Sequence, residues 1–234
     1  MVRRWPISAV CGLAAAHVGY AATWLPAVRR HTPRLAGVGR PDHLALTFDD
    51  GPSAASTPLF LDSLEKAGVT ATFFLVGSQL ARDRGLGRAI ADAGHEVAVH
   101  GYQHRYLLGR PPHRVRDDLT RCRDLVAEAT GRPPTYFRPP YGVLTTDGAV
   151  IARRLGLRPV IWTVWGKDWT ATATADSIYR TAEPGIRGGA TLLLHDADRF
   201  AAAGAWRATL GALPAVLDRA AELGLTVGPL REHR

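Results

Sequence analysis

Cysteine is scarce in this chain of 234 residues, which contains only Cys11 and Cys122. Two cysteines cannot build a disulfide-dense scaffold or a cysteine-based zinc site. Glycine-rich phosphate loops of the nucleotide-binding patterns are also missing, as are internal repeats and low-complexity segments. With 46% hydrophobic and 21% charged residues, the composition is that of a globular protein of one large domain or two small ones. A disordered chain and a collagen-like repeat are excluded.

Acidic residues are missing from the first 40 residues, which contain six arginines. The other 194 residues carry 23 basic side chains (29 in the whole chain less those 6) and 21 acidic ones, a net charge of +2 out of +8. A basic protein can bind nucleic acid, but such binding needs its charge on the folded body. The nearly neutral body therefore argues against nucleic acid. An anionic-polymer binder driven by the basic N-terminus stays an alternative.

An uncharged segment of 24 residues, Trp5 to Val28, lies between Arg4 and Arg29. At about 1.5 Å per residue, a helix of this length could span a bilayer core of roughly 30 Å. Three interpretations stay open: an uncleaved membrane anchor, a cleaved secretory signal, and a soluble N-terminal hydrophobic helix packed on the domain. Arginines flank both ends, so the charge does not fix the orientation. From Arg29 to Asp42 the chain is rich in proline, glycine and arginine, which is typical of a linker.

Short β-branched or aromatic runs alternate with segments of helical period after residue 42. Seven strands are predicted: His43–Phe48, Ala71–Val76, Glu96–His100, Thr135–Arg138, Pro159–Val164, Thr191–His195 and Leu225–Val227. Alternating strands and helices predict a parallel sheet in an α/β protein, either open and doubly wound or closed into a barrel. We therefore predict a membrane or signal segment with its linker over residues 1–41 and an α/β domain over residues 42–234.

The segments between the predicted strands carry helix signals. Thr57 is typical of a helix N-cap and Gly68 of a helix C-terminus. Residues 78–94 show the same pair of signals, a polar residue at the start and a glycine at the end. A later apolar stripe predicts a helix that ends at Gly131 and places Cys122 in the core. The stripe consists of Val115, Leu119, Cys122, Val126 and Ala129.

Polar motifs follow the C-terminal ends of five predicted strands. They are Asp49-Asp50, His100, Arg138, Trp165–Asp168 and His195. Barrel enzymes gather catalytic groups from many strand ends on one face, whereas open sheets concentrate them at one switch point. The distribution of these motifs favours a barrel.

His100 and His104 are spaced so that both imidazoles would lie on one face of a helical turn, close enough to share a metal. The spacing resembles the zinc-protease motif, but Gly101 stands where that motif has its glutamate. A base and a third ligand must then come from elsewhere in the chain. Alone, the pair is weak evidence, because surface and capping histidines show the same spacing.

Asp49 and Asp50 are adjacent carboxylates at a strand end, and adjacent carboxylates repel unless a cation lies nearby. One of them could complete a site of two histidines and one carboxylate with open positions, while the other serves as general base. Structural roles stay open as well, because Asp50 could cap the following turn and Asp49 could pair with an arginine.

Arg138 and His195 each end a predicted strand. The Arg138 guanidinium could hold the base in place and keep it ionised, or form an ordinary surface ion pair. His195 could be a core histidine or, beside a metal, a general acid that protonates a leaving nitrogen. Asp168 could orient His195 and raise its pKa.

These motifs together resemble the polysaccharide deacetylase family, also called carbohydrate esterase family 4 or the NodB-homology domain. The resemblance covers roughly Asp42 to Val227 and rests on five ordered motifs: TFDDGP, H-x-x-x-H, RPPYG, an Asp-Trp segment and L-x-H. It implies a distorted (β/α)7 barrel, similar to a TIM barrel. It also implies a hydrolase that removes N-acetyl groups from a polysaccharide or oligosaccharide, such as peptidoglycan or chitin-like N-acetylglucosamine, and releases acetate.

The resemblance assigns a role to each motif residue. Asp49 matches the general base with Arg138 as its partner, and His195 matches the general acid with Asp168 as its partner. The ligands of a divalent metal, usually zinc and sometimes cobalt or manganese, match Asp50, His100 and His104. The substrate contacts match the backbone N–H of Tyr141, as an oxyanion donor, and the side chains of Trp169 and Leu193, as apolar walls for the acetyl methyl.

Two positions depart from the family pattern. Gly101 stands in place of a serine or threonine, and Trp165 in place of the first aspartate of D-x-x-D-W. Asp168 is kept, so we expect activity. The tryptophans Trp162, Trp165 and Trp169 could line a sugar groove, or the first two could pack in the core.

Alternative functions are an O-acetyl esterase, a hydrolase of small cyclic amides and a non-catalytic carbohydrate-binding module on the same barrel. We expect a monomer that is membrane-anchored or secreted, with its catalytic domain outside the cytoplasm. No nucleic-acid partner is expected.

Overall fold

The computed structural model describes residues 26–233, so most of the uncharged N-terminal segment lies outside the described residues. Its eight strands form one sheet in which all pairs are parallel. They are β1 His43–Asp49, β2 Thr72–Leu75, β3 Glu96–Val99, β4 Tyr136–Phe137, β5 Arg158–Pro159, β6 Val164–Trp165, β7 Thr191–His195 and β8 Thr226–Gly228. Seven of them follow the order β5-β4-β3-β2-β1-β7-β6, and β8 lies beside the first half of β1.

Nine α-helices occur in residues 26–233. They are α1 Pro26–His31, α2 Pro33–Ala36, α3 Thr57–Lys66, α4 Gly77–Leu80, α5 Arg84–Asp92, α6 Pro112–Thr130, α7 Thr146–Arg154, α8 Ala175–Ala182 and α9 Trp206–Glu222. Helices surround the curved sheet, and this confirms the predicted (β/α)7 fold in the form of a half-barrel. Cys122 is fully buried on α6, and Gly131 ends this helix in the left-handed conformation, as the apolar stripe predicts.

One predicted strand, Pro159–Val164, is wrong because it is divided into β5 and β6. Between them the Ile161 N–H donates to the carbonyl of Leu35, so the chain leaves the sheet ladder at this point. β5 and β6 lie at the two ends of the strand order, which leaves a gap between them. The segment that joins the two strands spans this gap. This gap is where the barrel is distorted.

Two helix starts also differ from the predictions. Ser56 takes the N-cap position of α3, and Thr57 is its first residue. The predicted helix over residues 78–94 is divided into α4 and α5, because the Asp83 side chain accepts the Leu86 N–H and caps a new helix.

Part of the predicted linker packs against the end of the barrel where the strands begin. Leu35 and Ala36 are buried, and the Gly37 carbonyl accepts a hydrogen bond from Thr191 Oγ1 at 2.6 Å. A Cβ at Gly39 would lie 2.1 Å from the His233 carbonyl oxygen, so only glycine fits there. The boundary between residues 41 and 42 stays a prediction. Among the described helices, none is both long and apolar enough to span a bilayer.

Strand β1 positions the polar motifs. All seven of its residues are buried, and its Phe48 packs on Phe60 of α3 and Phe73 of β2 at ring-centroid distances of 5.2 and 5.0 Å. Register places Asp49 beside His195 of β7. Because the strands are parallel, their C-terminal ends meet at one end of the barrel, and the motifs converge there.

Replacement of Phe60 tests this packing. We expect Phe60→Ala to lower the free energy of unfolding by about 3–5 kcal/mol, since a fully buried ring leaves a cavity beneath β1. Leu59→Ala, at the neighbouring position that is 46% exposed, is expected to change it by less than about 0.5 kcal/mol. Urea denaturation followed by circular dichroism measures both values. Equal effects of the two substitutions would contradict the assigned core.

Candidate active site

Eight of the ten residues assigned by the sequence line one cavity of about 280 Å³ at the C-terminal end of the barrel. They are Asp49, Asp50, His100, His104, Tyr141, Trp169, Leu193 and His195. The other two, Arg138 and Asp168, are fully buried behind Asp49 and His195. The structure therefore brings all ten together.

The pair of histidines does not lie on a helical turn, so that part of the sequence prediction is wrong. His100 directly follows β3, and the chain as far as His104 is irregular. Gly101 and His104 have φ of +80° and +48°, values in the left-handed region that a regular right-handed helix does not contain. The Asp118 carboxylate anchors this loop, because it accepts the Tyr102 N–H at 2.7 Å. A loop, rather than helical spacing, brings the two rings to a centroid distance of 5.0 Å.

Asp50, His100 and His104 form a buried group whose possible ligand atoms lie within 4.8 Å of one another. The Nδ1–H of His100 donates to the Arg138 carbonyl at 2.8 Å, which leaves the Nε2 lone pair facing Asp50 Oδ1 at 3.5 Å. Burial, followed by the nearby His104, lowers the pKa of His100 to about 3, so this imidazole is neutral.

The surroundings of Asp50 Oδ1 indicate that this group binds a cation. It is buried and has no hydrogen-bond partner in the described part of the chain, although His104 Nε2 lies 3.0 Å away. A buried carboxylate oxygen without a partner is costly unless a cation satisfies it. One carboxylate and two imidazoles, of which His100 is held in the correct tautomer by a backbone carbonyl, are a donor set that fits a divalent metal.

Asp49 faces the same cavity and is paired with Arg138. Its Oδ1 accepts a hydrogen bond from Arg138 Nη1 at 2.7 Å, and its Oδ2 lies 3.6 Å from His100 Nε2. Burial raises the pKa of the Asp49 carboxyl, while the Arg138 guanidinium acts in the opposite direction. A carboxylate with a raised pKa is a stronger base, and Arg138 fixes its orientation.

His195 lines the same cavity, beside Asp49 on the neighbouring strand, and is paired with Asp168. Its Nδ1 lies 2.8 Å from Asp168 Oδ1, and its Nε2 lies 4.0 Å from Asp50 Oδ2. Burial alone would lower the pKa of His195, but the charge and hydrogen bond of Asp168, together with the charges of Asp50 and Asp49, outweigh it and raise the pKa to about 10. The second Asp168 oxygen accepts the His195 backbone N–H and the Thr209 hydroxyl at 2.7 and 2.8 Å. This imidazole is therefore protonated and held in place.

Aromatic and aliphatic side chains form the wall near His195. Leu193 packs with Trp162, and Trp169 meets His195 edge-on at a ring-centroid distance of 5.7 Å. Trp165, the departure from the family pattern, lies between Trp162 and Trp169 at 6.0 and 5.3 Å. All three tryptophans line the cavity, and Trp162 is also packed in the core.

Sequence reasoning missed Phe200 and Asp196. Phe200 stacks on His104 at a ring-centroid distance of 4.0 Å, from a loop in which no motif marks it. Asp196 is fully buried and accepts a hydrogen bond from Thr57 Oγ1 at 2.6 Å, and this hydroxyl in turn accepts the Ser53 N–H. Burial raises the pKa of Asp196 to about 7. The sequence signal for Asp196 was its position, because it is a polar residue directly after His195 at the end of a largely apolar strand.

Backbone strain is concentrated around the cavity. Four non-glycine residues have positive φ within residues 26–233: Asp50, His104, Tyr141 and Lys167. Three of them line the cavity, and Lys167 directly precedes Asp168. Each such residue costs about 1–3 kcal/mol, which the surrounding packing must offset. Strain of this kind is typical of functional sites.

Two curated relatives are, by name, deacetylases of peptidoglycan N-acetylglucosamine and of chitooligosaccharides. The peptidoglycan-N-acetylglucosamine deacetylase PgdA of Listeria monocytogenes is 35% identical over 160 residues, which cover 68% of this chain and 34% of the relative. This chain thus corresponds to about a third of that enzyme's length. The chitooligosaccharide deacetylase of a Bradyrhizobium species is 38% identical over 171 residues, which cover 73% of this chain and 76% of that enzyme.

A solved structure has the same fold. The Bc1960 peptidoglycan N-acetylglucosamine deacetylase, in complex with a naphthyl N-hydroxybenzamide, superposes with a TM-score of 0.80 at 26% identity. The superposition covers 87% of this chain and 95% of the other. Residues 36–160 match the model of the polysaccharide deacetylase family. With more than half of the chain matched and the motif residues gathered in one cavity, the chain belongs to the polysaccharide deacetylase family.

Proposed function

We propose that this protein is a metal-dependent hydrolase that removes N-acetyl groups from N-acetylglucosamine units of a polysaccharide or oligosaccharide and releases acetate. The observation that carries the proposal is the buried group Asp50, His100 and His104, with Asp49 within 3.6 Å of His100 and His195 within 4.0 Å of Asp50. Members of the family are metal-dependent. The relatives named above act on peptidoglycan and chitooligosaccharides, and the proposal extends that substrate class to this chain.

Zinc is the metal that we propose for this site, with cobalt and manganese as alternatives. Two imidazoles and one carboxylate leave open positions for water and substrate and suit zinc in catalytic sites. When bound, the metal supplies Lewis-acid polarisation of the acetamide carbonyl and makes the attacking water more acidic.

Asp49 and His195 would move the protons of the reaction. Asp49, which Arg138 holds in orientation, accepts a proton from the water that attacks the acetamide carbon. Nε2 of His195 donates a proton to the departing amine, and Asp168 keeps that proton available. An amine needs a proton to leave, whereas an alcohol leaves more readily. A proton donor at this position, His195, therefore suits an amide substrate.

Tyr141, Trp169 and Leu193 would bind the acetyl group. All three line the cavity, and the Tyr141 backbone N–H is proposed to donate to the developing oxyanion. Leu193 and Trp169 form an apolar surface beside His195, which suits the acetyl methyl. Trp165 widens this apolar wall where the family pattern has an aspartate.

We further propose that the catalytic domain, predicted as residues 42–234, works outside the cytoplasm, since peptidoglycan and chitin polymers are found there. The segment 1–41 would serve as a membrane anchor or export signal with its linker. Monomeric state and the absence of a nucleic-acid partner stay predictions.

Substitution of the proposed base tests the function. Asp49→Asn is expected to lower kcat for acetate release from N-acetylglucosamine oligomers by about 10²–10⁴-fold, because the amide cannot accept the proton of the attacking water. Asp62→Asn, which removes an exposed carboxylate paired with Lys66, serves as the matched control and should leave kcat unchanged. A wild-type kcat in Asp49→Asn would contradict the proposal, as would failure of the wild-type enzyme to release acetate from any such oligomer.

The pH dependence tests the proposed acid. Activity should fall as the pH rises through the pKa of His195, because only the protonated ring can donate. Asp168→Asn removes the charge that raises this pKa, so the basic limb of the kcat profile should move to lower pH. Thr209→Val removes one hydrogen bond to Asp168 but keeps its charge, and should move the limb much less. The pH profiles and an NMR titration of the ring measure the shift, and an unchanged limb in Asp168→Asn would refute the pairing.

A further inference from the structure

A basic groove of about 750 Å³ lies at the end of the barrel opposite the active site. Four of its lining residues are arginines and none is acidic: Arg34, Arg40, Arg153 and Arg158. Arg158 begins β5, and Arg153 stands near the C-terminus of α7, so both belong to the end at which the strands start. Neither the proposed reaction nor the cavity described above uses these side chains.

The charge of the groove is only partly neutralised. Arg40 pairs with the exposed Asp42 at 2.7 Å, while Arg34 and Arg158 form no ion pair with another described residue. All four arginines are exposed. A guanidinium binds a phosphate through two parallel hydrogen bonds, so a groove with this lining suits phosphate groups.

The groove also lies where the chain emerges from the uncharged N-terminal segment. Its first arginine follows Val28, the last residue of that segment, by only six positions. Val38 is 47% exposed within the lining and offers apolar contact between the arginines. Charge, an apolar side chain and the adjoining uncharged segment together favour a membrane surface over a soluble polyanion.

We propose that this groove binds the phosphate groups of anionic phospholipids and orients the barrel with its active-site end away from the membrane. The proposal does not depend on the deacetylase reaction, because no residue of the cavity takes part. Each basic side chain near an anionic membrane surface contributes about 1 kcal/mol, or about fivefold in binding. The interaction weakens when salt shortens the Debye length.

Hydrogen exchange of the full chain on vesicles tests the proposal. Two vesicle compositions are compared, phosphatidylcholine alone and phosphatidylcholine with 30% phosphatidylglycerol. We expect slower exchange of backbone amides in residues 33–41 and 153–159 on the anionic vesicles, and loss of this protection in 1 M NaCl. The double variant Arg34→Gln and Arg158→Gln should lose it at low salt, while circular dichroism and acetate release stay at wild-type levels.

A matched control separates the groove from net charge. Arg114→Gln and Arg207→Gln remove two exposed arginines near the starts of α6 and α9, at the active-site end of the barrel, and should keep the protection. Equal exchange on the two vesicle types would overturn the proposal, and so would loss of protection in this control. Soluble polyphosphate that produces the same protection on phosphatidylcholine vesicles would overturn the assignment to lipid.

Discussion

The site depends above all on the buried ion pair of Asp49 and Arg138. Moving each ion from water into the interior costs several kcal/mol, and only close partners offset that cost. Arg138 is fully buried and donates to Asp49, to the Thr47 hydroxyl and to the Ile161 carbonyl at 2.7, 2.8 and 3.0 Å. Its guanidinium also lies 4.1 Å from the centre of the Phe74 ring. The pair therefore ties β1 to the segment that spans the gap in the barrel.

The same arginine positions one of the proposed metal ligands through its backbone. Its carbonyl accepts the Nδ1–H of His100, so one residue orients both the proposed base and one ligand. Asp168 orients His195 in the same way, with a side-chain contact and a backbone contact. Removal of one partner from a buried ion pair lowers stability by about 3–5 kcal/mol. A shift of Arg138 or Asp168 would therefore disturb the fold and the site together.

Much of the site could be predicted because each motif follows a predicted strand, and parallel strands bring their C-terminal ends together. Charge and residue type left the partners of Asp49 and His195 open, and the resemblance to the family assigned Arg138 and Asp168 to them. What sequence could not supply was conformation: His104 meets His100 through a loop with positive φ, not through a helical turn. Phe200 reaches His104 from a distant loop without a motif, and the break between β5 and β6 depends on a hydrogen bond from Ile161 to Leu35.

We expect deacetylation to depend on a metal that Asp50, His100 and His104 hold. The most direct measurement is acetate release from an N-acetylglucosamine oligomer after removal of metal by a chelator and stepwise addition of zinc. Activity should be lost on chelation and return in proportion to zinc up to one equivalent per chain, whereas Asp50→Asn should not recover. Unchanged acetate release in the presence of chelator, or full recovery of Asp50→Asn, would contradict this expectation.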